Sequence, residues 1–583
     1  MARRALLPSL LALLGGAFLV AGGSGTLPSL FAVEGLFAVE GRALVSTASF
    51  RAQAASARPS GERTRASQDT SEQEDARGLP EGRLPKRFHA ERRQTVLKAL
   101  PSDGVAVFFS NPRRTREGDI RHAYRQDSNL HYLTGAPNPA SVLMLAPGGI
   151  EVGGETTNEV LFVPPRTAQS QMWNGPRLGP ERAERLLGIE RVLPNERFAG
   201  VLRRVAKDST RRFFHLPLPY GIEEDSDLAG QVAAFRKAAR LMPEAQSPLT
   251  RRAAEVMRTV SRPAAFRTYQ RQFRRRLSPG AFQSAVLRDA YRQFAAADSL
   301  GAWSRWRSGH FGPSRADGQS LKRLLSQMRV EKTPAEQRLV RQTAQITARA
   351  QKAALRTAEP GAREYEVEAA AEYVFQKNGA EPAFPSVVGS GPNTDVLQYH
   401  NNRRRMQAGE LVVIDLGAEH HGYAADVTRT APVDGSFSKE ERAIYDLVLE
   451  AQKAAIRAAR VGNNFRDPHQ VARRVLGKGL VELGLISDPN DVGRYFTHPT
   501  AHYLGRSVHD AGRGGPLKAG TVLAVEPGLY LRPSGDLPEK WHNVGVRIED
   551  VVLVTEDGPD VLSEKAPRAP QAVEALMREP REL

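Results

Sequence analysis

The sequence predicts a mixed α+β protein of at least two domains. Three observations lead there. The chain has 583 residues, more than one hydrophobic core usually organises. From residue 86, short apolar runs alternate with amphipathic stretches of helical period, the pattern of an α/β layer. From residue 324, long helical stretches lead into apolar, β-branched runs that carry isolated acidic residues.

Taken in order, the chain opens MARRALLPSLLALLGGAFLVAGG. Arg3 and Arg4 precede an apolar run over 6–21, and Ala21, Gly22 and Gly23 are small enough for cleavage. Residues 1–23 are read as an export signal, giving a periplasmic or secreted protein; an uncleaved membrane anchor is the alternative. Residues 24–84 are poor in aromatics and repeat LFAVEG twice, which reads as a disordered linker.

The first domain is expected over 85–323. A helix is predicted over 88–100, and strands over 105–109, 142–145 and 160–163. Residues 242–310 are rich in arginine and helical in pattern, and read as an insertion. Such a run could bind nucleic acid. No helix-turn-helix, RNA-binding aromatic box or zinc finger accompanies it, so it is read as a solvated helical face. The net charge is +17 and there is no cysteine. Disulfides, thiolate zinc sites and a cysteine nucleophile are thereby excluded.

The second domain is expected over 324–565, with 566–583 as a tail. Thr333-Pro334-x-Glu336 is a helix start, with a cap, proline at the first position and an acid in the first turn. Helices are predicted over 335–355 and 365–378. The stretch 411–429, LVVIDLGAEHHGYAADVTR, reads as two antiparallel strands around a polar turn between Gly417 and Gly422. Each strand carries one aspartate, Asp415 and Asp426, and His420 and His421 are expected to be exposed in the turn.

A carboxylate in an apolar strand is costly unless it is paired or binds a cation. Further on come His498 and His502, four residues apart, then His509, then Glu526 after the apolar run TVLAV, then Glu549 expected inside the strand VGVRIEDVVLV. Four acids in strand-like settings with histidines between them are explained together by a shared pair of cations. Carboxylates with one imidazole and no thiolate suit Mn, with Co or Zn as alternatives.

Asp415, Asp426, His502, Glu526 and Glu549 resemble, in order and local context, the five ligands of the pita-bread dinuclear metallopeptidases. The eleven-residue step between the aspartates, the VEPGLY box and the RIED box carry the resemblance. Within that group, YRQDSNLHYLTG at 124–135 and MWNGPRLGPERAERLLGI at 172–189 resemble the N-terminal domain of aminopeptidase P, where such phrases occur around a strand and before a helix. The resemblance implies a C-terminal pita-bread (creatinase/aminopeptidase-like) catalytic domain behind an α/β creatinase-type N-terminal domain. It also implies two divalent metal ions bridged by Asp426 and Glu549, with Asp415 on one and His502 and Glu526 on the other. By the same resemblance Glu526 takes the proton of the attacking water. His498 and His509 contact substrate and assist the leaving nitrogen, and Tyr530 and Arg547 lie in the cleft.

The implied activity is hydrolysis of an N-terminal Xaa-Pro bond in peptides with proline second, by a dimer or tetramer. A prolidase cutting only Xaa-Pro dipeptides would use the same site. A metal-free creatinase-like hydrolase, or a non-catalytic protein- or RNA-binding relative, would be expected to lack ligands. Two departures stand out. Gln398 occupies a position where the family usually has histidine, with His400 two residues on, and both are expected to contact substrate. Pro499 replaces a glycine before the metal histidine and stiffens that loop.

Overall fold

The computed structural model describes residues 82–223, 226–241, 247–311 and 315–580. The expected signal at 1–23 and the linker up to residue 81, with its duplicated hexapeptide, lie outside the described residues. So do residues 242–246, where the insertion was expected to begin. The linker expected to run through residue 84 ends sooner, because Leu84 is buried in the core of the folded chain. Among the described residues no helix is long and apolar enough to cross a membrane.

The first domain is built on a six-stranded sheet. Its order is 191–194, 155–163, 142–152, 104–109, 212–215 and 316–317, with antiparallel and parallel neighbours mixed. The strand Gly104–Phe109 is buried along its whole length, which explains its unbroken apolar sequence. Val142–Val152 and Glu155–Val163 form a hairpin longer than the apolar cores alone suggested. Its outer part is polar and turns at Gly153 and Gly154, both at positive φ. The helix Lys86–Ala99 packs over this sheet, and its buried Arg93 pairs with Glu159 at 2.7 Å.

The 124–135 phrase does not lie around a strand. It folds as the helix Ser128–Thr134. Asp127 caps it by accepting from the backbone N–H groups of Asn129 and Leu130, and Gly135 ends it in the left-handed region. The 172–189 phrase spans the end of the helix Ala168–Asn174 and the helix Gly179–Leu187.

The arginine-rich region forms four helices, Pro248–Thr259, Pro263–Arg276, Ala285–Ala296 and Leu300–Phe311. They have their own core around Phe266, Phe273, Phe294 and Trp303. Arginines 267, 271, 274, 275 and 276 face solvent. The insertion departs after the strand Arg212–His215 and returns to Ala316–Asp317, which pairs parallel with that strand.

In the second domain Thr333 and Glu336 form the reciprocal cap of the helix Pro334–Thr357. This helix and Glu364–Lys377 pack on the sheet Val387–Ser390, Leu411–Leu416, Val427–Pro432. Gln351 donates to the carbonyls of Ile414 and Val427, joining helix to sheet. A second sheet, Ala501–Tyr503, Val522–Val525, Asp550–Thr555, Gly558–Val561, is accompanied by the ribbon Gly528–Leu531 and Val544–Arg547. The helices Lys439–Ala458 and Asp467–Glu482 cover this half. The sequence expected to be a tail carries the helix Pro570–Met577, whose Val573 and Leu576 are buried against the first half.

Candidate metal centre

Two of the five acidic or imidazole groups, Asp415 and His502, lie within strands, and the other three lie in breaks between strands. Asp415 lies in the strand Leu411–Leu416, opposite Thr428 rather than Asp426. The ladder then bends. A Cβ at Gly417 would stand 1.9 Å from the carbonyl oxygen of Ala425, so only glycine permits this approach. Beyond the bend, Ala418–His420 and Tyr423–Ala424 pair in another sheet. Asp426 therefore sits in the gap between two strands, not within one. The turn is made by His421 and Gly422, both at positive φ. His420 is 6% exposed, contrary to its expected place at the surface, and His421 is half-buried.

His502 lies in Ala501–Tyr503, paired with Ala524 of the neighbouring strand. Glu526 follows that neighbour at once, and its N–H donates to Thr500. Glu549 was expected inside a strand. It occupies the two-residue break between Val544–Arg547 and Asp550–Thr555. Its N–H donates to the carbonyl of Thr428, and its own carbonyl accepts from Arg429 at 2.6 Å. The break frees the side chain from the sheet faces and turns it toward Asp426.

These positions bring the groups together. Asp426, His502 and Glu549 each offer an atom, and those atoms all lie within 4.8 Å of one another. The Nε2 of His502 is 3.5 Å from Asp426, 3.7 Å from Glu526 and 3.8 Å from Glu549. Its Nδ1 is 3.2 Å from the carbonyl of Tyr503, to which it donates, so Nε2 is the ring nitrogen that faces the carboxylates and would ligate a bound cation. Asp415 joins from the other side, accepting from Arg547 at 2.6 Å. Arg547 also donates to Tyr530 at 3.1 Å and to Thr428 Oγ1 at 3.2 Å, and Thr428 donates to Glu549 at 2.7 Å.

Four carboxylates this close cannot all stay ionised without a positive partner. Burial, then Glu549 and Asp415, pushes Asp426 well above the usual carboxylate range. Burial and Glu549 push Glu526 up to about 8. Burial alone would lower His502, but Asp426 and Glu549 overcome it and raise the imidazole well above its ordinary value. The Asp415 Oδ1, Asp426 Oδ1 and Glu549 Oε1 atoms are buried and have no hydrogen-bond partner within the protein. Unsatisfied buried oxygens on residues lining one cleft fit divalent cations, and their hardness fits oxygen-favouring metals.

Gln398, His400, His498, His509 and Arg547 line the same cleft of about 560 Å³, whereas Tyr530, expected in it, is buried behind His498. The Nε2 of His498 is 2.8 Å from the Tyr530 hydroxyl, and burial with the nearby Arg547 lowers its pKa to about 4. His509 stands edge-on to His502, ring centres 4.6 Å apart. Gln398 and His400 are exposed at the rim and lie 3.2 Å from one another. Two residues of the site escaped sequence reasoning, Arg125 in the cleft and Thr428 buried behind it. Arg125, from the first domain, lines it and pairs with Glu419 at 2.7 Å. They lie 294 residues apart, so only the phrase around Arg125 could have drawn attention to it. Thr428 also escaped, because one threonine in an apolar strand carries no signal.

Comparison with known proteins agrees with this geometry. The profile of metallopeptidase family M24 matches residues 338–556, and that of the aminopeptidase P N-terminal domain matches 89–214. The Xaa-Pro aminopeptidase of Haemophilus influenzae is 31% identical over 509 residues, covering 85% of this chain and 98% of the relative. That of Escherichia coli is 30% identical over 499 residues, covering 83% and 96%. Among solved structures, an aminopeptidase from Pseudomonas aeruginosa superposes with a TM-score of 0.65 at 30% identity, covering 85% of this chain and 98% of that one. Aminopeptidase P from Escherichia coli with the inhibitor Pro-Leu superposes with a TM-score of 0.66 at 28% identity, covering 85% and 98%. Sequence and two-domain pita-bread architecture agree, and the chain belongs to the Xaa-Pro aminopeptidase family of M24 metallopeptidases, which makes it a hydrolase.

Proposed function

We propose that the chain removes the N-terminal residue from peptides with proline at the second position, using two divalent cations held by Asp415, Asp426, His502, Glu526 and Glu549. The observation that carries this reading is that three buried carboxylate oxygens without hydrogen-bond partners, on Asp415, Asp426 and Glu549, belong to residues lining the same cleft as His502. Mn is the favoured metal, with Co or Zn as alternatives. When bound, such a pair supplies Lewis-acid polarisation of the scissile carbonyl and lowers the pKa of water toward neutrality.

The chain's own residues do the rest. Glu526, which follows the strand Val522–Val525 and lines the cleft, takes the proton of the attacking water and passes it on. His498 is fixed in the cleft as a neutral ring, donating from Nδ1 to the Pro499 carbonyl at 2.9 Å and accepting from the Tyr530 hydroxyl at 2.8 Å, and it contacts the substrate. His509, beside His502, is placed to assist protonation of the departing proline nitrogen. Arg547 opposes the burial that raises the Asp415 carboxyl and orients it through a 2.6 Å hydrogen bond. Gln398 and His400 at the rim contact the substrate flank.

The experiment compares Ala-Pro-Ala with Ala-Pro, using metal-stripped protein resupplied with Mn, Co or Zn. Release of alanine from the tripeptide supports the aminopeptidase reading. Turnover of the dipeptide alone replaces it with prolidase. The same reading takes the chain as exported after removal of residues 1–23 and assembled as a dimer or tetramer. N-terminal sequencing of the mature protein and light scattering test these two points.

A further inference from the structure

Beside the catalytic cleft lies a second cavity of about 700 Å³. Arg125 and His131 of the first domain line it, with His420, His421 and Arg506 of the second. The two cavities share only Arg125 and Glu419, so the 2.7 Å ion pair between them forms a partition.

Arg506 is the unusual group. It is 3% exposed, yet among the described residues no carboxylate lies within ion-pair distance of it. Its guanidinium stacks over the Tyr423 ring at 4.9 Å and donates to Nδ1 of His131. Its Nε has no hydrogen-bond partner within the protein. A buried guanidinium is normally matched by a carboxylate, because taking it out of water without one is costly. The fold makes room for it all the same. A Cβ at Gly422 would stand 2.9 Å from Arg506 Nη2 and 3.3 Å from His131 Nδ1.

Donors line the space together with two carboxylates, Glu381 and Glu419, the latter held by Arg125. Accepting from Arg506 at Nδ1 leaves His131 with its N–H at Nε2. His420 is 6% exposed and its Nδ1 lacks a partner. The backbone is fixed too, because the carbonyl of Arg506 accepts from Arg125 at 2.6 Å and from Ser128 at 3.1 Å. A desolvated cation, neutral imidazoles with N–H groups and a preformed cavity are what a compact oxyanion needs.

We propose that this cavity is an oxyanion site, in which Arg506 and His131 take a carboxylate or a phosphate-sized anion, separated from the metal centre by the Arg125–Glu419 pair. The anion is either free in solution or an acidic group of a bound peptide that reaches past the partition. The site does not depend on the metal chemistry.

The test uses the full-length, metal-loaded protein and sulfate as the probe, with chloride at matched ionic strength. Sulfate favours folded proteins in general, so the readout is the difference between parent and variants. The melting temperature of the parent should rise with sulfate by more than that of Arg506→Met or His131→Leu, and sulfate affinity should fall by about tenfold or more in both. Equal rises in all three proteins would overturn the proposal. Should Arg506→Met fail to fold, His131→Leu and Arg506→Lys decide it, the lysine variant keeping part of the effect. A second arm assigns the source. KM for Ala-Pro-Glu-Ala rising about tenfold in the variants, with Ala-Pro-Ala-Ala unchanged, identifies a peptide acid. Unchanged KM for both peptides with the sulfate effect lost identifies a free anion. If neither peptide is cleaved by the parent, the sulfate arm still stands, so the two readings fail separately.

Discussion

Arg429 and Asp550 form a fully buried ion pair at 2.8 Å that ties the two halves of the catalytic domain together beside the metal centre. Every oxygen of Asp550 is satisfied, by Arg429, Ser563, Gln452 and Arg568. Arg429 also donates to the carbonyl oxygens of Glu549 and Ala566. One guanidinium thus fixes the backbone of a ligand and the start of the C-terminal segment.

Arg429→Met removes the fully buried partner of Asp550 and leaves it only the partly exposed Arg568 as a counter-charge. Breaking a buried pair from one side costs about 3–5 kcal/mol. The expected outcome is a markedly lower urea midpoint, with activity falling in step because Glu549 loses its anchor. Unchanged unfolding would mean that the pair does not join the two halves.

Thr428 acts through its hydroxyl, between Arg547 Nε and Glu549 Oε2. Thr428→Val keeps the shape and removes both hydrogen bonds. Groups that orient ligands in this way are worth about 10–100-fold in metal affinity or activity. Metal titration of the variant should show weaker binding by that order, while the folding midpoint moves far less than in Arg429→Met.

His215 makes the first domain acid-sensitive. Its Nδ1 is 2.7 Å from the Leu216 carbonyl, and its Nε2 accepts from Arg258 of the insertion at 2.9 Å. Burial, then the charge of Arg258, lowers its pKa from 6.5 to about 4. The folded state therefore binds fewer protons than the unfolded state between those values. Stability rises with pH across that window and is lost as pH falls from 6.5 toward 4, by up to ~1.4 kcal/mol per pH unit. Unfolding measured at pH 7, 6, 5 and 4 should show this slope, and His215→Gln should flatten it.

The parts of the site that could be read from sequence are those where chemistry conflicts with local surroundings. Asp415 in an apolar strand, Glu526 after another and histidines four residues apart are each hard to explain alone. Helix ends were legible for the same reason, as Thr333 and Glu336 cap the helix Pro334–Thr357 by local bonds. What escaped depends on contacts distant in sequence. The break at Glu549 arises because Thr428 and Arg429 hold its backbone, and periodicity cannot reveal that. His420 looks like a turn residue but is covered by packing, and the expected tail is held by Arg429 and a buried Val573. Arg125 reaches the cleft through a domain contact that no local pattern encodes.

The central claim is that five side chains hold two divalent cations, and calorimetric titration of metal-stripped protein with Mn tests it most directly. The account predicts two equivalents per chain, with loss of at least one in Asp426→Ala, whose carboxylate is expected to bridge both. Saturation at a single equivalent, or binding in Asp426→Ala indistinguishable from the parent, would contradict it.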